Sequence, residues 1–222
     1  MFKKILQEYR QNNNPQQALP MAKYMQNRFT FLGLPRPERN RLQKEFIQRA
    51  RQAKSINWDF VQECWDMPER EYQYLAVDYL IALAKYLQPH DMIRLEALIT
   101  AKSWWDTVDA IAVKLVGQLC QRYPEMIADY IPKWAAGADI WLIRTAILFQ
   151  LKYKQATDTD LLAAVIGQNY TSRQFFINKA IGWALREYSK TDPEWVRAFV
   201  ARHSLHPLSI KEGSKYIEQK IG

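Results

Sequence analysis

Lys102-Ser103-Trp104-Trp105-Asp106-Thr107-Val108-Asp109 is the stretch from which the fold is read. Ser103 followed three places later by Asp106 has the form of a capping box, a pattern that predicts a helix opening here. Each helical residue turns the chain by about 100°. On that count Val108, Ile111, Ala112, Leu115 and Leu119 form one apolar stripe, with Trp104 in its middle and Trp105 at its edge. Asp109, one turn beyond Trp105, shares the face of Trp105 and borders solvent. An aromatic plane and a carboxylate one turn apart at the rim of a core have the form of a site wall.

Working outward, the Ala110-Ile111 that follows is one of four related dipeptides. Ala76-Val77, Ala110-Ile111, Ala146-Ile147 and Ala180-Ile181 recur every 34 to 36 residues, each inside a helical pattern. Between them lie second helical segments, around Asp91–Leu98, Pro124–Trp134, Asp158–Ile166 and Pro193–Val200. Asp192-Pro193-Glu194 supplies an N-cap, a proline at N1 and a first-turn acid, and Thr171-Ser172-Arg173-Gln174 has a capping-box form. Upstream, residues 1–10 read as a short amphipathic helix, Gln11–Pro15 as a break, and Pro15–Phe29 as a second helix. Gly33–Arg39 is a stiff turn feeding another helix, with Pro37 suited to its first position. Glycines are few and strand-like alternation is scarce. The pattern predicts an all-α chain: a right-handed superhelical array of antiparallel helix pairs, of HEAT or armadillo type. No linker breaks the run, so residues 1–222 read as one domain with a concave basic groove.

The chain has 31 Lys and Arg against 23 Asp and Glu, a net charge of +8, which suits a polyanionic partner such as nucleic acid. Two cysteines, Cys64 and Cys120, and three dispersed histidines give no spacing for a disulfide framework or a metal site. No segment approaches a membrane span, and a cytoplasmic protein is expected.

Some residues do not fit a plain core. In the helix from about Gln174 to Tyr188 the stripe is Ile177, Ala180, Ile181, Ala184, Leu185 and Tyr188, whereas Trp183 points roughly 140° away from it. Lys179 and Arg186 flank Trp183, and Lys190 follows. An outward Trp among cations can stack on a nucleotide while its neighbours hold phosphates; packing against the next repeat is the alternative. Arg144 shares its side of a helix with Ile140, Ile147, Leu148 and Leu151, so it needs an anion, for which Asp109 or a phosphate would serve. Tyr24 and the group Arg36, Arg39 and Arg41 carry weaker signals. Glu69 and Glu71 read as helix-capping acids rather than an acid/base pair.

At these residues the chain resembles the AlkD family of bacterial DNA alkylation repair glycosylases. The matching stretches are Met21–Met25, Trp65–Glu71, Lys102–Asp109, Tyr130–Trp134, Leu148–Lys154 and Lys179–Tyr188, in the family's order. The resemblance implies a HEAT-like array cradling duplex DNA and the excision of cationic alkylated purines such as 3-methyladenine and 7-methylguanine. It implies a catalytic cleft of Trp105, Asp109 and Trp183, a cleft-adjacent Arg144 and an N-terminal Tyr24. Lys179, Arg186 and Lys190 join them as DNA-binding candidates. It further implies a monomer in the bacterial cytoplasm, working on the nucleoid without a cofactor, metal or obligate protein partner. A non-catalytic nucleic-acid-binding module is the competing reading.

Overall fold

The computed structural model describes residues 1–218. Among them the secondary structure is helical, with one isolated bridge between Thr30 and Glu69. The chain forms two compact units, residues 1–87 and the residues from 88 onward.

The first unit contains α1 (Phe2–Gln11), α2 (Pro15–Tyr24), α3 (Arg36–Ala53), α4 (Trp58–Asp66) and α5 (Arg70–Ala82). Asn14 caps α2 by accepting from the Gln17 amide, with Pro15 in the first turn, and Asn57 caps α4 by accepting from the Phe60 amide. α2 stops at Tyr24, five residues before the end anticipated from pattern, because Gln26 and Asn27 take left-handed backbone conformations. Pro37 sits one place inside α3, behind Arg36. The core is aromatic: Phe60 meets Phe2 at 4.7 Å, Phe46 at 5.1 Å and Tyr79 at 5.2 Å between ring centres.

Glu71 is more than a first-turn acid. Its buried carboxylate accepts from the backbone amides of Leu32, Gly33 and Leu34, at 2.9, 2.9 and 3.0 Å. It thus pins the turn that leads into α3. Gly33 is required in that turn: its φ is +88°, and a Cβ there would lie 1.9 Å from the Asn14 carbonyl oxygen. Of the Arg36, Arg39 and Arg41 group, the first two share Asp78, which Arg39 reaches at 4.0 Å. Arg36 pairs with Asp78 and Arg41 with Glu38, while Arg39 is buried over the Tyr74 ring.

The second unit contains α6 (Met92–Thr100), α7 (Trp105–Ile111), a π turn (Ala112–Val116) running into α8 (Gly117–Arg122), then α9 (Glu125–Ala136), α10 (Ile140–Leu148), α11 (Thr159–Gly167), α12 (Phe175–Tyr188), α13 (Pro193–Arg202) and α14 (Pro207–Glu218). The four repeated dipeptides fall in α5, α7, α10 and α12. The helices anticipated between them are α6, α9, α11 and α13. Asp139, Asp158 and Asp192 cap α10, α11 and α13 through hydrogen bonds to first-turn amides. α10 lies at the centre of this unit, packing on α7, α9 and α12.

The start of α7 differs from the capping-box expectation. Ser103 donates its hydroxyl to the Ile99 carbonyl at 2.7 Å, closing α6, and Trp104 is the N-cap of α7 without a side-chain cap. Lys102 turns the chain between the two helices with φ at +50°. The start at Thr171–Gln174 is likewise not a box: α12 begins at Phe175, and Ser172 accepts from the Gln174 amide. Val108, Ile111, Ala112, Leu115 and Leu119 are buried as expected, and Trp104 is core, in ring contact with Trp141 at 5.6 Å and Phe176 at 4.9 Å. Cys64 and Cys120 are buried thiols within helices. Of the C-terminal segment, residues 207–218 form α14 packed on α12 and α13, while residues 219–222 lie outside the described residues.

Candidate functional site

The second unit holds a cleft of about 340 Å³ lined by Trp105, Asp109, Arg144, Phe175, Phe176, Lys179, Trp183, Arg186 and Glu212. Three helices present the residues expected from sequence. The turn at Lys102 and the cap-less start at Trp104 put Trp105 and Asp109 one turn apart on α7. The Asp139 cap fixes the start of α10, which carries Arg144 one turn further on. α12 contributes Trp183, half-buried on the face away from the buried Ile177, Ala180, Ile181, Ala184 and Leu185.

Asp109 and Arg144 form the polar centre. Arg144 Nε donates to Asp109 Oδ1 at 2.6 Å and Nη2 to Oδ2 at 2.9 Å, and Nη1 donates to the Phe176 carbonyl. Arg144 is 4% exposed and its side of α10 is apolar, so this two-pronged pair supplies the anion that its burial demands. The floor beneath is the packed aromatic set Trp104, Trp141 and Phe176. Asp109 itself keeps 15% of its side chain exposed, toward the cleft. A carboxylate has about four lone-pair positions. Arg144 takes two of them.

Burial pushes the Asp109 carboxyl above its ordinary value; the hydrogen bonds and charge of Arg144 pull it back, and Asp106 adds to the rise. The net direction is upward.

The other cations have partners of their own. Lys179 and Arg186 meet Glu212 at 2.9 and 3.1 Å, and Lys190 meets Glu187 at 2.6 Å. Lys152 also reaches Glu187 at 2.6 Å. Burial works to raise the Glu187 carboxyl, but these two lysines prevail and hold it below its ordinary value. Tyr24, 71% exposed, ends α2 in the first unit and is not among the residues that line the cleft. Among the described residues no group of three His, Cys, Asp or Glu is placed to hold a metal ion, and no helix is long and apolar enough to cross a membrane.

Three cleft residues were not singled out from sequence: Phe175, Phe176 and Glu212. Phe175 was within reach of the helical count, since it lies one turn before Lys179 and two before Trp183. It is 55% exposed, with its ring 5.2 Å from that of Phe176. Glu212 carried no local signal, because its place depends on how α14 folds back onto α12.

Fold and site together define an all-α protein of helix pairs in which a paired acid and arginine share one cleft with two tryptophans. The family profile described as DNA alkylation repair enzyme matches residues 5–217. A solved structure, described as a predicted DNA alkylation repair enzyme from Enterococcus faecalis, is 34% identical to this chain. The match covers 92% of this chain and 96% of that one with a TM-score of 0.85. No curated protein matches the chain. The chain belongs to the DNA alkylation repair enzyme family.

Proposed function

We propose that the protein is a DNA glycosylase that hydrolyses the N-glycosidic bond of cationic alkylated purines, 3-methyladenine and 7-methylguanine, in duplex DNA. The observation that carries this reading is the Asp109 carboxylate, locked by Arg144 and turned toward a cleft walled by Trp105 and Trp183. A purine alkylated at N3 or N7 already bears a positive charge and departs as a neutral base. The bond to C1′ therefore breaks without a general acid, and the developing positive charge passes to the sugar. A fixed carboxylate in a partly desolvated cleft stabilises that oxocarbenium-like sugar.

Asp109 also positions the water that adds to C1′. The water gives its oxygen to carbon and its proton to solvent or to the carboxylate. The products are free base and an abasic site. Trp105 and Trp183 flank the sugar and backbone, excluding bulk water and favouring cationic character. Arg144 orients Asp109, and its contact with a neighbouring phosphate belongs to the same reading. Lys179, Arg186, Lys190 and Tyr24 are its DNA-binding candidates. The enzyme is a monofunctional hydrolase: no lysine is assigned as a Schiff-base nucleophile. It works as a monomer, without cofactor, in the cytoplasm.

A non-catalytic nucleic-acid-binding module is the alternative. A cleft that only grips phosphates gains nothing from a carboxylate facing them, since its charge repels them. Incubation of the purified protein with methylated duplex DNA tests the choice. The expected outcome is release of free 3-methyladenine or 7-methylguanine, leaving abasic sites in unbroken strands. Retained DNA binding with no released base would favour the binding module.

A further inference from the structure

Lys179, Trp183 and Arg186 lie on one face of α12, one turn apart, so each side of the tryptophan carries a cation. Free cations there would help hold any duplex by its phosphates. They would also oppose a positively charged base or sugar brought against Trp183. The structure answers this with Glu212, from a helix that otherwise adds nothing to the cleft lining.

The Glu212 side chain is 8% exposed and meets three cations: Lys215 at 2.7 Å, Lys179 at 2.9 Å and Arg186 at 3.1 Å. Its place is built into the backbone. At Gly182, beside Trp183, a Cβ would lie 2.5 Å from the Glu212 Cβ and 3.0 Å from the Ser209 carbonyl oxygen, so only a glycine lets α14 approach α12 this closely. Ser209 ties the same crossing by donating its hydroxyl to the Asn178 carbonyl at 3.0 Å. Hydrogen bonds from Lys215 and Lys179 hold the Glu212 carboxyl down to about 2, against the opposing effect of burial, so it is an anion throughout the neutral range.

We propose that Glu212 is a specificity-determining residue: by countering Lys179 and Arg186 it limits the cleft's grip on undamaged backbone and keeps the wall at Trp183 tolerant of a cationic base and sugar. The inference rests on the glycosylase reading above. Glu212 acts on a lesion through the two cations and is a positioning residue rather than a catalytic one.

The test measures two quantities on Glu212→Gln and Lys179→Gln: the salt dependence of binding to an undamaged duplex, and single-turnover excision from the same duplex carrying one 7-methylguanine. Glu212→Gln should bind the undamaged duplex more tightly, with a log–log salt slope steeper by about 0.9, the worth of one further phosphate contact. Its excision should slow about tenfold. Lys179→Gln leaves Glu212 anchored by Arg186 and Lys215, so it stays folded even where the glutamine variant does not. It should move the salt slope the other way, with weaker binding to the undamaged duplex and a shallower slope. Salt slopes shifted in the same direction by the two variants, or a Glu212→Gln slope or excision rate equal to wild type, would overturn the proposal. A wild type that releases no base would sink the glycosylase reading instead, while the slopes on undamaged duplex would still report what Glu212 does.

Discussion

Asp109 and Arg144 depend on each other because both are largely withdrawn from water. Removing the guanidinium leaves a buried carboxylate with only part of its compensation, a loss of about 3–5 kcal/mol for pairs of this kind. Arg144→Ala should therefore lower unfolding free energy by several kcal/mol in a denaturant titration, and its affinity for DNA and the salt slope of that affinity should also fall. A variant as stable as wild type would show that the pair is not holding the site. The upward shift of Asp109 also sets a pH dependence. The working form is the carboxylate, so the single-turnover rate should rise with pH through a midpoint above 3.8 and then level off. The sign for stability is opposite: a raised carboxyl favours the protonated folded state, so Asp109 contributes less to stability as pH climbs from 3.8 through its folded value. A flat rate profile across that acidic limb would remove Asp109 ionisation from the rate.

At the scale of elements, the pairing of α12 with α14 decides what the cleft looks like from the C-terminal side. Gly182→Ala should force the two helices apart or into strained rotamers, costing about 1–3 kcal/mol, read as a lower melting temperature. Trp183→Ala, by contrast, removes a half-buried ring from the cleft wall. It should weaken grip on damaged duplex while leaving the melting temperature close to wild type; a large drop would mark Trp183 as core. What the sequence could disclose follows the same division. The helix start capped by Asp192 was legible, because cap and amide lie within three residues of each other. Trp105, Asp109 and Trp183 were legible because a fixed helical period turns position into direction. Ser103 misled because its hydroxyl had two helices within reach and bonded back to Ile99 in the earlier one. The roles of Glu71 and Glu212 could not be read, since the turn amides and the cleft cations they meet lie some 26 to 39 residues away and are fixed only by packing.

For the whole molecule, the excess of cations over anions is the property most directly tied to a polyanionic partner. The cleft cations Lys179 and Arg186 are already countered by Glu212, and Lys190, outside the cleft lining, is countered by Glu187. Affinity for undamaged duplex should accordingly fall with salt in a linear log–log fashion, with a slope set by those cations that reach phosphates. Salt-independent binding would contradict a backbone-directed interface. The central claim, however, is chemical. The measurement that tests it most directly is single-turnover excision of 7-methylguanine from a duplex by wild type and Asp109→Asn, with binding of the same duplex followed in parallel. The asparagine variant should keep its binding to the duplex, no weaker than wild type, and lose most of its excision rate. An Asp109→Asn enzyme that excises at the wild-type rate would contradict that claim.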